Sequence, residues 1–308
     1  MQLTNKIGGQ IMTNKMLRPK KGIFILLFAP GIVWYIFTVI LPLSSSLVYS
    51  FLSFKGMRID EFVGFTNYAE LIYDKIFWLS LKNNVIITVL CVVGQIGIGL
   101  VFATILNMKM LKFKNLHRSV IFFPGVLSAV IIGFIWTMMY NKDYGLINFI
   151  LEKLNLDFLI LPWLDNPKHV IYFVSIPLIW QYIGYYMVII MAGISAISKE
   201  VYEMADIDGV TPWGKIVYIT MPLIKDTLMV CLMLCISGNM QVFDHILVMT
   251  EGGPGTSSMV MAILAYSKTF EQGRIAYGNT VSIGILIISL FFIVVSKLII
   301  GGRKKDAS

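Results

Sequence analysis

A single stretch decides the fold of this chain: Glu203-Met204-Ala205-Asp206-Ile207-Asp208-Gly209, followed ten residues after its glycine by Ile219-Thr220-Met221-Pro222. The stretch is short and charged, and a long apolar run lies on each side of it. Since charged side chains are costly inside a membrane, we expect this segment to lie in water. We predict an aqueous loop over residues 198–222 that contacts a partner. The alternative is a solvated acidic connection with no partner.

The composition indicates a membrane protein. Of 308 residues, 57% are hydrophobic and 14% are charged, whereas an ordinary soluble domain has roughly 25% charged residues. A helix needs roughly 20 apolar residues to cross a bilayer, and lipid forces the spanning segments to be helical. We therefore predict an all-α integral membrane fold with six transmembrane helices, which together form one domain over residues 22–301. The predicted spans are about 22–54, 83–108, 119–141, 170–198, 222–250 and 275–299.

The positive charges predict the orientation. Lysine and arginine are concentrated in the tail 1–21, in the second connection and in the tail 302–308, whereas the connections at 55–82, 142–168 and 251–274 are longer and carry acidic residues. Positive residues mark the cytoplasmic side, so both termini and the 198–222 loop are predicted in the cytoplasm. The net charge of +8 is then mostly a topology signal. No nucleic-acid partner is predicted, because there is no basic soluble domain.

Two short helices are predicted within the 198–222 loop. Ser198 can cap the first helix, and Gly209 can end it in a left-handed conformation. Thr211 can cap the second helix, with Pro212 at its first position. Helices this short are marginal alone, so docking on a partner is expected to order them. On the first helix Val201, Ala205 and Asp208 share one side, and Ala205 is small enough to let a partner approach closely.

Catalytic and cofactor signatures are scarce. The cysteines Cys91, Cys231 and Cys235 fall inside predicted spans and are interpreted as small buried apolar residues rather than a metal or redox site. The segment 209–216 matches a phosphate-binding loop except at its last position, where Ile216 cannot ligate magnesium. No enzyme activity, metal or cofactor is predicted for this chain.

The spacing of the charged stretch resembles the EAA loop of binding-protein-dependent ABC transporter permeases. The pattern of that loop is E-A-A, three residues, G, nine residues, then I-x-L-P. Five positions match, and Met204 and Met221 replace an alanine and the leucine; the matching residues are Glu203, Ala205, Gly209, Ile219 and Pro222. Further stretches occur in family order, namely 62–68, 143–148, 163–167 and Phe243-Asp244 leading to 250–254.

The chain thus resembles the sugar-type permease subunit of an ABC importer, of the maltose and glycerol-phosphate permease kind. The resemblance implies the type I permease architecture, a cell-membrane location and a pathway shared with a second homologous permease. It also implies separate ATPase subunits that bind ATP and magnesium, and an extracytoplasmic sugar-binding protein. Coupling to the ATPase is expected through the loop, by Glu203, Ala205, Asp208, Gly209, Ile219 and Pro222.

The substrate pathway is expected on the fourth and fifth spans. Four residues share one face of the fourth and would offer an aromatic plane, an open glycine shelf and an adaptable wall: Trp180, Ile183, Gly184 and Met187. The fifth is unusually polar for a span, and its candidates are Gly238, Asn239, Gln241, Val242 and Asp244. Alternatively, Asn239 and Gln241 join helices, and Asp244 holds the Gly-Gly-Pro turn that follows.

Asn239 agrees with the family pattern. Gly238 and Val242 fall where a maltose-type permease has an aromatic residue and an amide, so a maltose-like substrate is not implied. The main rival function is an ion-coupled secondary transporter, which should show inverted repeats and intramembrane ionisable pairs. An integral-membrane enzyme would need a catalytic constellation, and the sequence contains none of the common ones.

Overall fold

The computed structural model describes residues 21–107 and 112–301. It divides into two units, residues 1–48 and 49–308. The predicted cytoplasmic tail before Lys21, the tail 302–308 and Lys109 of the second connection lie outside the described residues.

The described part of the first unit is helical. Helix α1 (Lys21–Tyr35) continues through a π-helical turn (Ile36–Ile40) into α2 (Leu41–Tyr49). The predicted first span, 22–54, is therefore too long at its carboxyl end.

A β-hairpin begins shortly after α2, which corrects the all-α prediction. Strand β1 (Leu52–Lys55) pairs antiparallel with β2 (Arg58–Phe62). Gly56 supplies the positive φ of +64° at the turn, and Lys55 forms an ion pair of 3.2 Å with Asp60. The charged residues Lys55, Arg58, Asp60 and Glu61 favour an exposed ribbon over a lipid-embedded helix end.

The rest of the second unit is helical. Its helices are α3 (Thr66–Tyr73), α4 (Lys75–Cys91), α5 (Ile98–Asn107), α6 (Lys114–Phe122), α7 (Ala129–Met139), α8 (Leu146–Lys153), α9 (Val170–Ser195), α10 (Lys199–Ile207), α11 (Pro212–Gly214), α12 (Met221–Leu223), α13 (Lys225–Met240), α14 (Asp244–Thr250), α15 (Met261–Tyr266) and α16 (Ile275–Gly301). Two π-helical segments, Val92–Gly97 and Lys215–Thr220, join α4 to α5 and α11 to α12. The segment Phe123–Val126 extends α6 as a 3-10 helix.

Three predicted spans have different limits or shapes. The second runs continuously over Lys75–Asn107 instead of starting at 83, because Asp74 caps it by accepting a hydrogen bond of 2.8 Å from the Ile76 amide. The third is two helices bent by 95° between Val126 and Ala129. The fifth is interrupted between α13 and α14. Within 21–107 and 112–301, four helices are long and apolar enough to cross a membrane. The number is six if two bent pairs each form one span, namely Lys114–Val126 with Ala129–Met139 and Pro212–Leu223 with Lys225–Met240.

Helix α9 lies at the centre of the second unit and packs against α4, α5 and α6. The core around it includes Ile87, Met187, Ile190 and Ile246, all fully buried. A second cluster joins α13, α15 and α16. The interruption between α13 and α14 lies between these two clusters, where the polar residues of the fifth span are concentrated.

Candidate functional site

The fifth span is broken at Gln241–Phe243, and a residue of the second span supports the break. The side-chain amide of Asn84 donates to the carbonyl oxygens of Asn239 at 3.0 Å and Met240 at 3.2 Å. Its oxygen accepts from the amide of Met261 at 2.8 Å, at the start of α15. The last carbonyls of a helix have no partner within it, so Asn84 satisfies groups that the break exposes. Sequence reasoning missed this residue.

A cavity of about 340 Å³ lies beside the break. It is lined by Gln95, Ala129, Leu178, Tyr182, Tyr185, Tyr186, Leu234, Gly238, Asn239, Gln241, Val242, Phe243, Asp244 and His245. The wall combines aromatic rings, amides and one carboxylate. Such a volume and such a mixture of apolar surface with a few polar groups are typical of small-molecule sites.

All five residues predicted on the fifth span line this cavity: Gly238, Asn239, Gln241, Val242 and Asp244. At Gly238 an added Cβ would meet nothing within 4 Å, so this glycine leaves open space. Gln241 and Asp244 are exposed, whereas Asn239 is buried and donates back to the Cys235 carbonyl of its own helix at 2.8 Å. The side-chain amide of Asn239 thus bonds within its own helix, whereas Asn84 joins the second span to the fifth.

The residues predicted on the fourth span lie on a different face. A Cβ at Gly184 would approach the Ile121 carbonyl oxygen to 2.3 Å, and Trp180 packs edge-on against Trp136 with ring centroids 5.9 Å apart. Met187 is fully buried, and Ile183 is absent from the cavity lining among the described residues. The expectation of an open glycine shelf at Gly184 is therefore wrong, because this glycine permits close helix packing.

Three tyrosines of α9 face the cavity instead: Tyr182, Tyr185 and Tyr186. Leu178, Tyr182 and Tyr185 follow the i, i+4, i+7 spacing that places residues on one helical face. Helical periodicity therefore fits both this tyrosine face and the predicted face around Gly184. Nothing in the sequence indicates which of the two faces lines the cavity.

A hydrogen-bonded chain ties the cavity wall to the bend in the third span. Gln181 donates to the Leu127 carbonyl at 2.9 Å, so its amide oxygen faces His245 and accepts from the imidazole Nε2 at 2.6 Å. Gln95 likewise donates to the Leu178 carbonyl at 2.9 Å. Gln181, Gln95 and His245 are all buried. The wall is consequently held by polar groups that satisfy one another.

A second cavity, of about 330 Å³, lies at the other end of α14. Its lining includes Asp165, Thr250, Glu251 and Pro254. The Gly-Gly-Pro turn there is held by Ser258, whose hydroxyl donates to the Gly253 carbonyl at 2.6 Å. The turn therefore has a support other than Asp244, which lies at the opposite end of the helix.

The 198–222 loop contains the two predicted helices. Helix α10 starts after Ser198, whose side chain makes no capping hydrogen bond, and ends at Ile207. Gly209, just past its C-cap Asp208, has a φ of +68°. The Val210 amide donates to the Ala205 carbonyl at 3.0 Å, as in a Schellman turn. Thr211 caps the following helix by accepting from the Gly214 amide at 3.1 Å. The predicted left-handed Gly209 and the Thr211 cap are confirmed.

The exposed face of this loop differs from the predicted one. Ala205 is buried within the chain, so the expectation that it admits a partner is not met. The two helices are joined by an ion pair between Lys215 and Asp206 and by a 3.0 Å hydrogen bond between the hydroxyls of Tyr202 and Thr220. Glu203, Asp208 and Pro222 are exposed, and Ile219 is half-buried. The exposed apolar residues of the loop include Met204, Ile207, Trp213 and Tyr218.

The chain is similar to known transport proteins. A family model described as "Binding-protein-dependent transport system inner membrane component" matches residues 95–301. A probable ABC transporter permease protein of Pyrococcus horikoshii is 37% identical over 274 residues, which cover 88% of this chain and 93% of that protein. The lactose transport system permease protein of Rhizobium radiobacter is 32% identical over 260 residues, covering 83% and 87%.

The fold is also similar to a solved structure, a bacterial alginate ABC transporter in complex with an alginate pentasaccharide-bound periplasmic protein. The TM-score is 0.80 with 20% sequence identity, and the match covers 94% of this chain and 97% of that chain. Identity this low supports the fold alone.

Proposed function

The chain belongs to the family of binding-protein-dependent transport system inner membrane components, and we propose that, as the permease subunit of an ATP-driven ABC importer, it moves a sugar or oligosaccharide through the cavity beside the broken fifth span. The observation that carries this proposal is the cavity wall, where tyrosines and amides surround a helix break inside an otherwise apolar span. Polar groups at membrane depth normally face a pathway or a partner.

The wall suits sugar chemistry. Tyr182, Tyr185 and Phe243 present aromatic faces on which the apolar face of a sugar ring can stack. The exposed side chain of Gln241 can donate to and accept from hydroxyl groups, and the carboxylate of Asp244 can accept from them. The lactose transport system permease of Rhizobium radiobacter, a relative of this chain, is named for a sugar with such hydroxyl groups.

The pathway is proposed to be shared with a second homologous permease. Several groups of the wall, among them Gly238, Gln241 and Asp244, are exposed in this chain alone. An opposing permease surface would enclose them and complete the pathway. We also propose that six spans cross the cell membrane with both termini in the cytoplasm, as the positive charges indicate. An extracytoplasmic binding protein would then deliver sugar at the opposite side.

Coupling is proposed to occur at the 198–222 loop, with separate ATPase subunits that bind ATP and magnesium. We call four exposed apolar residues of this loop the coupling surface: Met204, Ile207, Trp213 and Tyr218, of which Ile207 is 85% and Tyr218 79% exposed. A patch of this kind on an aqueous loop marks an interaction site. The predicted loop residues Glu203, Ala205, Asp208, Gly209, Ile219 and Pro222 would shape and orient this surface. Movement of the loop would then drive alternating access.

Two glycines offer a matched test of the pathway. Gly238 and Gly97 both lie in helical segments, and a Cβ added at either would meet nothing within 4 Å. Of these two, Gly238 lines the cavity. The assay is uptake of radiolabelled mono- and disaccharides into proteoliposomes that contain the chain, its second permease, the ATPase subunits and the binding protein. Gly238→Trp should abolish ATP-dependent uptake, whereas Gly97→Trp should transport as the unmodified protein does.

Two results would contradict the proposal. Full uptake by the Gly238→Trp assembly would exclude the cavity as the pathway. Sugar uptake by the chain alone in ATP-free vesicles, driven by an ion gradient, would support the ion-coupled secondary transporter instead.

A further inference from the structure

We propose that the cavity selects sugars that carry hydroxyl groups and no anionic group, and that Asp244 enforces this selection. The inference rests on the proposed function, because it names the substrate class for the same cavity. It would exclude sugars bearing a carboxylate, sulfate or phosphate.

The charges of the wall carry the argument. Among the described residues that line the cavity, Asp244 is the one carboxylate, and none is a lysine or arginine. Asp244 is exposed on the cavity side of the break, at the first position of α14. A buried or half-buried anion normally needs a cation or several hydrogen-bond donors near it. The described wall offers an anionic sugar no cation and places a like charge beside it.

His245 does not supply the missing cation. His245 is 3% exposed, and its Nε2 atom donates to the Gln181 amide oxygen. Gln181 is itself held by the Leu127 carbonyl. The imidazole is therefore a fixed part of the wall rather than a mobile group that turns toward a ligand.

The second cavity, like the first, carries negative charge in its lining. Its lining contains the carboxylates of Asp165 and Glu251, and within the described part of the chain it contains no lysine or arginine. Helix α14 has this cavity at one end and the Asp244 cavity at the other. Carboxylates at both ends of the helix produce a negative potential that disfavours anions along α14.

A hydroxyl-rich sugar meets a favourable wall. A carboxylate accepts hydrogen bonds from two hydroxyl groups at once, and such charge-assisted bonds are stronger than neutral ones. An anionic group about 6 Å from Asp244 is instead disfavoured on the order of a hundredfold, at an effective dielectric constant of about 20. The cavity therefore discriminates by charge as well as by shape.

Matched pairs of sugars test the proposal. The probes are glucose, galactose, lactose and cellobiose, each paired with the counterpart in which one C6 hydroxymethyl is oxidised to a carboxylate. Binding is measured by thermal stabilisation of the purified permease and ATPase complex without binding protein, so the selectivity of the binding protein does not enter. Gly238→Trp, which fills the cavity, identifies the stabilisation that arises there.

For at least one pair, the neutral sugar should bind in a manner that Gly238→Trp abolishes, and its carboxylate counterpart should bind at least tenfold more weakly. Asp244→Asn, which keeps the shape of the side chain, should narrow that gap, and Asp244→Lys should reverse it. Cavity-dependent binding of a uronate as tight as that of its neutral partner would overturn the charge selection and leave the proposed pathway standing. A complex in which none of the probes binds in a Gly238-dependent manner would count against both proposals.

Discussion

The Nε2 atom of His245 lies 2.6 Å from the amide oxygen of Gln181, and this contact joins the interrupted fifth span to α9. His245 follows the break in the fifth span, and Gln181 also donates to the Leu127 carbonyl at the bend of the third. A helix break leaves backbone groups without partners, so α9 connects the two breaks through one side chain. Movement at one break is thus expected to shift the backbone at the other.

Gln181→Leu is expected to destabilise the chain and to slow transport. The substitution leaves the Leu127 carbonyl and the His245 imidazole without their partner, at a cost of about 1–3 kcal/mol for each buried group left unpaired. The unfolding temperature of the purified complex and the rate of sugar uptake should both fall. The control is Gln272→Leu, at an exposed amide that bonds Lys268, which should leave both unchanged. Equal unfolding temperatures and uptake rates in the two variants would show that Gln181 does not connect the two breaks.

Asn84→Leu is expected to weaken sugar binding, because it removes the side chain that holds the break beside the cavity. Asn83 is the matched control: it also makes two hydrogen bonds to backbone carbonyls, but to Ser257 and Met259 rather than to the break. Both leucine variants should lower the unfolding temperature. The half-saturating sugar concentration for uptake should rise in the Asn84 variant and stay constant in the Asn83 variant. A rise in both would assign Asn84 a purely structural role.

The sequence predicted the elements that depend on local chemistry. Apolar length located the helices, because lipid or a core must cover each long apolar run. The left-handed Gly209 and the Thr211 cap were also predictable, since few residues suit those backbone positions.

What the sequence did not predict depends on contacts between distant residues. A charge-free run shows that a segment is apolar but not that its helix is continuous, so the bend after Val126 and the break at Gln241–Phe243 were missed. Asn84 acts on groups that are 155 residues away in the chain. Periodicity identified a face of α9 around Gly184, yet the neighbour that covers this face, the backbone at Ile121, is set by tertiary packing.

Gly209→Val is expected to impair both transport and the ATP hydrolysis that the binding protein stimulates. The glycine has φ +68°, and a Cβ there would meet nothing within 4 Å, so the cost arises from backbone strain rather than from a clash. That strain is about 1–3 kcal/mol, enough to shift the turn between the two loop helices. ATP hydrolysis stimulated by the binding protein and uptake should fall together. Asn tolerates this conformation, so Gly209→Asn should retain most of both activities, and equal loss in the two variants would reject the backbone explanation.

Trp213→Ala is expected to weaken binding of the ATPase subunits without destabilising the chain. The indole is 69% exposed and belongs to the coupling surface, so its removal costs little internal packing. Exposed aromatic residues that become buried at an interface are among those whose truncation costs more than 1 kcal/mol of binding. The affinity of the purified ATPase for the detergent-solubilised permease pair should fall about fivefold or more, since 1.4 kcal/mol corresponds to tenfold. The control is Met57→Ala, at a side chain 92% exposed on the β-hairpin that is predicted to lie on the opposite side of the membrane. Unchanged affinity in the Trp213 variant, with a normal unfolding temperature, would show that the ATPase contacts another part of the loop.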